Sequence, residues 1–336
     1  MKKYLLPKEG KFYKANLHMH TTISDGQLTL EETKRLYKEQ GYSIVAFTDH
    51  EVMVPHNDLT DENFLAITST EISFNISYER EFIFNKCYHL NFYSRDPNKN
   101  VYSTFCKKRV WLTNSQEYIT EEQNKIDFPR VYSINDVNNL ISMAKKDGCI
   151  VSYNHPVWSL QNYSDYSELK GIWGIEWWNS GCVCEGYIDS IQPIDDLLRK
   201  GENVFPLATD DAHELKHCFG GWVNLKATKL DYETVFNALE KGDFYSSNGP
   251  EIKELFIEDG IVTIKTSNAS KIFMSTERRY NKCFNGSNLI EAKFDINEYI
   301  LKSQKEITNN HYIRFTVVDE KGKIAYTRGY RINELI

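Results

Sequence analysis

A series of short apolar runs, each ending on a metal-ligand type of side chain, constrains this chain more than any other feature. Ser43-Ile44-Val45-Ala46-Phe47 runs into Thr48-Asp49-His50, and Phe64 to Thr70 runs into Glu71. Cys149 to Tyr153 leads to Asn154-His155-Pro156, and Val204 to Ala208 leads to Thr209-Asp210-Asp211-Ala212-His213. Tyr88-His89-Leu90-Asn91 adds another donor. Short apolar runs bounded by polar residues and alternating with helical patterns mark parallel βα units, so the fold class is α/β. In βα barrels the chemistry gathers at the carboxyl ends of the strands, and one cluster at one rim accounts for all these positions.

The same logic applies at Asn16-Leu17-His18-Met19-His20, followed by Ser24-Asp25-Gly26. Strand side chains alternate faces, so His18 and His20 converge while Met19 points away. Asp211 and His213 repeat that i, i+2 spacing, which favours Asp211 over Asp210 as a ligand.

Four helices are marked. Thr29-Leu30-Glu31-Glu32 fits a capping box, with Leu36 and Tyr37 inward and Gly41 at the stop. Ser133 caps Ile134 to Lys146, whose Val137, Leu140, Ile141 and Ala144 form an apolar stripe. The others run from about Tyr187 to Lys200 and from Tyr232 to Lys241, each before a glycine. Residues 93–130 break the pattern and read as a long insertion, either a lid above the rim or a solvated excursion. From Pro250 the runs become strand-like, over 251–258, 261–266, 271–274, 288–294 and 312–318. The expectation is a barrel over 1–249 and a small all-β, sandwich-like C-terminal unit over 250–336.

A net charge of −7 gives no basic field to hold nucleic acid, so no nucleic-acid partner is expected beyond nucleotides. No run approaches the roughly 20 apolar residues of a membrane span, and Pro7 interrupts the start before a secretory apolar region forms. Seven scattered cysteines suit free thiols, and a cytoplasmic protein without a membrane partner is expected. Cys182 and Cys184 form a C-x-C without a second thiol motif.

The proposed ligand set is His18, His20, Asp25, His50, Glu71, His89, His155, Asp211 and His213, which takes six of the nine histidines. One tetrahedral ion needs about four ligands, so the set suits two or three divalent ions, zinc, manganese or iron. With Glu71 and Asp211 bridging, His18 and His20 serve one ion and His89 and His155 a second. Asp25, His50 and His213, with or without Asp211, serve a third. Asp25, Asp49 and Glu176 are the candidate catalytic acids; Asp49 either orients His50 or caps the turn after its strand. Asn179 joins Glu176 as a pocket candidate. Trp158, Trp173, Trp177 and Trp178 either wall a pocket or fill the core. Coordinated water ionises near pH 7, which makes hydroxide available without a side-chain base.

The ordered series His18-x-His20 to Asp25-Gly26, Thr48-Asp49-His50, Glu71, His89, His155 and Asp211-x-His213 resembles the PHP family, named for polymerase and histidinol phosphatase. The resemblance spans roughly residues 14–249. It implies a distorted seven-stranded, TIM-like βα barrel with a two- or three-metal site. Asn154-His155-Pro156, Ser246-Ser247-Asn248-Gly249-Pro250 and the ending from Tyr312 to Tyr326 are most similar to the stand-alone carbaryl-hydrolase-like group. Glu51 stands where that family commonly has Asn or Asp. The implied activity is a metal-dependent phosphoesterase, using metal-bound hydroxide on a small nucleotide or sugar phosphate. An amide or carbamate-ester hydrolase and a non-catalytic metal-stabilised binding module are the alternatives.

Overall fold

The computed structural model describes residues 2–75, 85–303 and 310–336. The chain begins with β1 (Lys3–Tyr4), β2 (Lys11–Asn16), α1 (Leu30–Glu39), β3 (Tyr42–Phe47), β4 (Leu65–Asn75) and β5 (Cys87–Ser94). It continues through α2 (Thr113–Gln116), α3 (Ile134–Lys146), β6 (Cys149–Tyr153), α4 (Tyr163–Tyr166), β7 (Gly174–Asn179), α5 (Ser180–Cys184), α6 (Gln192–Arg199) and β8 (Phe205–Thr209). Next come β9 (Trp222–Ala227), α7 (Tyr232–Lys241) and β10 (Phe244–Ser247). The remainder is β11 (Ile252–Glu258), β12 (Ile261–Thr276), β13 (Lys282–Asp295), α8 (Asn297–Ser303), β14 (Tyr312–Val318), β15 (Ile324–Thr327) and β16 (Tyr330–Arg331).

Local chemistry explains the helix ends. The Glu32 backbone N–H donates to Thr29 Oγ1 at 3.2 Å, and the Thr29 N–H donates to Glu32 Oε2 at 3.0 Å, which closes the capping box of α1. Ser133 caps α3 by accepting from the Asp136 N–H at 3.1 Å. Val137, Leu140, Ile141 and Ala144 are fully buried against β6 and its neighbours. Burying each of the three larger ones contributes roughly 1.5–3 kcal/mol. The helix expected from Tyr187 starts only at Gln192, because Pro193 fits the first turn, where its missing N–H costs nothing.

The sheet is mixed. Strands β2, β3, β4, β5, β6, β7 and β8 are successive neighbours, but no ladder joins β8 back to β2. The two ends are linked by an isolated parallel bridge, Met19 to Ala212, and by the Asp210 N–H donating to Asn16 Oδ1 at 3.0 Å. β5 also departs from the all-parallel expectation, running antiparallel to both β4 and β6. Eleven residues separate β4 from β5, and parallel pairing demands a crossover of about a dozen or more.

Residues 93–130 are not a solvated excursion. Tyr102, Phe105 and Val110 insert into the main core. Ser115 Oγ donates to the Ile23 carbonyl at 2.9 Å and Asn114 Nδ2 to that of Thr22 at 3.2 Å, so the segment sits on the loop that carries Asp25.

The C-terminal strands are not separated from the rest as a sandwich. β15 pairs with β10, β10 with β9, and β9 with β2, so one sheet runs through both parts of the chain. β1 pairs with β11, and Leu5 and Leu6 enter the C-terminal core. Two of the expected strands, 261–266 and 271–274, are one long β12, and α8 interrupts what was read as all-β. At the seam, Arg314 grips Asp195 of α6 in a buried bidentate pair, with both N···O distances 2.7 Å.

Candidate metal centre

The donors meet at one end of β2 to β8. His18 and His20 lie on the extended segment after β2, which is held by Met19 pairing with Thr48. His50 follows β3, and Glu71 sits where β4 runs past the last paired residue of β3, bridged to His50. Because β5 is reversed, His89 lies near its amino end and still reaches the same rim. His155 follows β6, and Asp211 and His213 follow β8.

All nine expected ligands fall into three overlapping groups: His18, His20, Glu71 and Asp211; Glu71, His89 and His155; and His20, Asp25, His50 and His213. Within each group the ligand atoms lie within 4.8 Å of one another. His18 Nε2 and His20 Nε2 are both 3.1 Å from Asp211 Oδ1 and 3.2 Å from each other. Glu71 is central, with His89 Nδ1 at 3.2 Å and His155 Nε2 at 3.4 Å on Oε1, and His50 Nδ1 at 3.2 Å on Oε2. His213 Nε2 and His50 Nε2 approach Asp25 at 3.4 and 3.5 Å. The third group holds His20 in place of Asp211: its Nδ1 faces Asp25 at 3.6 Å while its Nε2 faces Glu71. A neutral imidazole has one lone-pair nitrogen, so His20 ligates in one group at a time.

A supporting layer fixes these side chains. Glu176 Oε1 lies 2.8 Å from His18 Nδ1 and accepts from Thr209 Oγ1, while Oε2 accepts from the His155 N–H and Asn179 Nδ2. Glu176 therefore turns His18 Nε2 toward the cluster and stands behind it as a positioning residue. Asn179 also donates to Asp211 Oδ2 at 3.0 Å, and Asn154 donates to Glu71 Oε1 at 2.9 Å. Asp49 does not enter the cluster. Its oxygens accept from Thr21 and Ser24, and so pin the loop carrying Asp25. Asp210 likewise stays outside, accepting from Tyr37, Ser180 and the N–H groups of Phe219, Gly220 and Gly221. Gly26 is required by close approach, since a Cβ there would lie 2.3 Å from the His20 carbonyl oxygen. Glu51, His155 and Asp211 all have positive φ, backbone strain that the packed rim sustains beside the ligands.

Burial alone would raise the Glu71 and Asp211 pKa values, yet His89 and His18 hold Glu71, and His18 and His20 hold Asp211, well below the usual carboxylate range. Burial would lower His18, but Asp211, Glu71 and Glu176 raise it well above an ordinary imidazole. His213 is pushed up to about 9 against burial, by Asp25 Oδ1 3.4 Å from its Nε2 and by the charge of Asp211. Asp25 Oδ1 and Asp211 Oδ1 are nevertheless buried without an accepted hydrogen bond. A cavity of about 400 Å³ opens over the cluster.

The PHP domain description matches residues 16–221, well over half of the 336-residue chain. The chain belongs to the PHP domain family. Among curated proteins no sequence matches it significantly. Among solved structures it is similar to a two-domain protein of Bacteroides vulgatus containing a predicted PHP-like metal-dependent phosphoesterase, at 14% identity over 98% of each chain with a TM-score of 0.47. It is also similar to an amidohydrolase of Chromobacterium violaceum with bound sulfate and no metal, at 15% identity over 60% of this chain and 88% of that one, TM-score 0.38. A lesion-specific endonuclease of Pyrococcus furiosus is similar at 14% identity over 68% of this chain and 56% of that one, TM-score 0.39. At these scores none of the three bears on what this chain does.

Within this PHP domain the sequence reading missed Ser159, whose hydroxyl lies 3.1 Å from His155 Nδ1, and the buried pair of Glu51 with Arg130. It also missed Trp111, which lines the cavity. Of the four tryptophans considered, only Trp158 lines it; the Nε1 atoms of Trp173 and Trp177 bond to Leu239 and Ser246 away from it. Cys182 lines the cavity but Cys184 is exposed, and among the described residues neither joins a metal group. Among the described residues no helix is long and apolar enough to cross a membrane.

Proposed function

We propose that the chain is a metal-dependent hydrolase of small phosphate esters, holding two or three divalent ions, zinc, manganese or iron. The observation that carries this reading is the convergence of three overlapping donor groups, nine side chains in all, beneath one open cavity. A structural ion needs about four ligands and no access, whereas these nine donors surround a space a substrate can enter. The residues fit cations. Two nearly fully buried carboxylate oxygens accept no hydrogen bond, and two imidazole nitrogens face each other across 3.2 Å. When bound, divalent ions supply Lewis acidity and a water that ionises near neutral pH.

The chain's own part is to orient and to balance charge. Glu176 sets His18, Asn154 and Asn179 hold the central carboxylates, and Asp49 holds the Asp25 loop. Three divalent ions against the carboxylates of Asp25, Glu71 and Asp211 leave about +3, complementary to a phosphate dianion. In this reading residues 1–249 act as a distorted seven-stranded barrel and 250–336 as a β unit braced against it. The substrate is a small phosphorylated molecule, since the cavity volume falls within the usual range for small ligands.

A second reading, hydrolysis of an amide or carbamate ester, is favoured by one observation: among the described residues no Lys or Arg lines the cavity. Metal content by elemental analysis, followed by turnover of phosphate esters and of carbamates, separates the two. Phosphate-ester turnover inhibited by inorganic phosphate supports the first. Carbamate turnover indifferent to phosphate reassigns the enzyme. Less than one ion per chain, with no gain on reconstitution, removes both.

A further inference from the structure

We propose that Asp189, on the segment between α5 and α6, is a positioning residue that holds the His155 loop in the shape metal binding requires. The inference rests on the metal-centre reading above and concerns the group of Glu71, His89 and His155. His155 Nε2 lies 3.4 Å from Glu71 Oε1, and it does so from a residue whose φ is 28°. Side chains of L residues rarely adopt such a φ, so the loop keeps this shape only where its surroundings impose it.

The loop is gripped on both sides of its ligand. Ahead of the side chain, the His155 N–H donates to Glu176 Oε2 at 2.9 Å. At the ring, Ser159 Oγ lies 3.1 Å from Nδ1, which leaves Nε2 for the cluster. Beyond it, Pro156 has no N–H, so the first backbone donor after His155 is that of Val157. That N–H donates to Asp189 Oδ1 at 2.8 Å. Asp189 is an unfavourable choice for so small a task. It is buried, its Oδ2 accepts no hydrogen bond, and burial pushes its carboxyl up to about 7. A buried acid with an orphaned oxygen calls for a reason. The reason is what the Val157 N–H carries, since freeing it lets the His155 backbone relax and draws Nε2 off Glu71. His155 enters only one of the three donor groups, so the effect should stay in that group.

The test is titration of the metal-free full chain with cobalt, followed by visible absorption, with His155→Ala marking the step that belongs to this group. Asp189→Ala should weaken that step by about tenfold and leave the other steps unchanged. Asp189→Asn, which keeps an acceptor in the same place, should restore it. A merely structural role would loosen every ion alike, and that result overturns the inference. An unchanged titration in Asp189→Ala, or no altered step in His155→Ala, overturns it as well. Asp189→Asn as weak as Asp189→Ala also overturns it, assigning the effect to charge rather than position. Should Asp189→Ala not fold, Asp189→Ser, one bond too short to reach the Val157 N–H, carries the same expectations. If the wild-type chain takes up less than one cobalt ion, the metal-centre reading falls and takes this inference with it.

Discussion

The rim above β2 to β8 and the seam between α6 and β14 both bury charge, and they do so in opposite ways. At the seam every group is matched: Arg314 bonds both oxygens of Asp195 and Thr316 Oγ1, and Tyr312 donates to the same carboxylate at 3.0 Å. At the rim three carboxylates and six imidazoles crowd together, yet Asp25 Oδ1 and Asp211 Oδ1 accept no hydrogen bond. A closed ion pair stabilises one packing arrangement. An open one stores unmet coordination that a cation can satisfy. The difference separates a structural charge from a functional one without reference to any relative.

The sharpest way to break this comparison is to remove one charge from each side. Asp211→Ala should abolish turnover and lower metal content while circular dichroism stays native-like; full activity would sink the proposed centre. Arg314→Met should do the reverse. It leaves Asp195 buried without its main partner, at about 3–5 kcal/mol by denaturant unfolding, with kcat of the folded fraction unchanged. Loss of activity without loss of stability there would show that the seam is not merely structural.

Protons sharpen the contrast further. With its pKa raised from 6.5 to about 9, a charged His213 stabilises the metal-free fold fully below pH 6.5, and the contribution fades as pH rises through 9. A ligand nitrogen must be unprotonated, so metal affinity should climb by about tenfold per pH unit for each proton released across that window. Scanning calorimetry with and without zinc should show a Tm gain that widens between pH 6.5 and 9. A gain that is constant over the window would refute the linkage. The smallest effect belongs to the supporting layer: Glu176→Gln should weaken metal binding by about 10–100-fold in a chelator competition, with the fold kept. No change would mean that His18 needs no partner behind it.

The candidate donors His50, Glu71, His155 and Asp211 were legible because each follows an apolar run, and a run that stops on His, Asp or Glu is visible in one dimension. Asp211 joins the donor groups and Asp210 does not, although strand alternation is not what separates them. Asp211 takes a positive φ just beyond β8, and Asp210 is drawn away by three backbone N–H groups from Phe219 to Gly221. The direction of β5 was hidden, since a hairpin and a crossover leave the same apolar pattern in the strand itself. Asp49 looked like a neighbour of the chemistry because it adjoins His50, but its partners Thr21 and Ser24 come from a different loop. The continuity of β10 with β15 was equally invisible, being a pairing between distant segments.

One such pairing has a consequence for how the chain comes into being. Lys3 and Tyr4 pair with Ile257 and Phe256, and the neighbouring Leu5 and Leu6 are buried among residues of the last third of the sequence. On the ribosome those two leucines emerge long before anything exists to cover them. The nascent chain therefore carries an unpaired strand and an apolar pair through most of its synthesis, and it is in that interval, rather than in the finished protein, that misassembly and chaperone capture compete with folding.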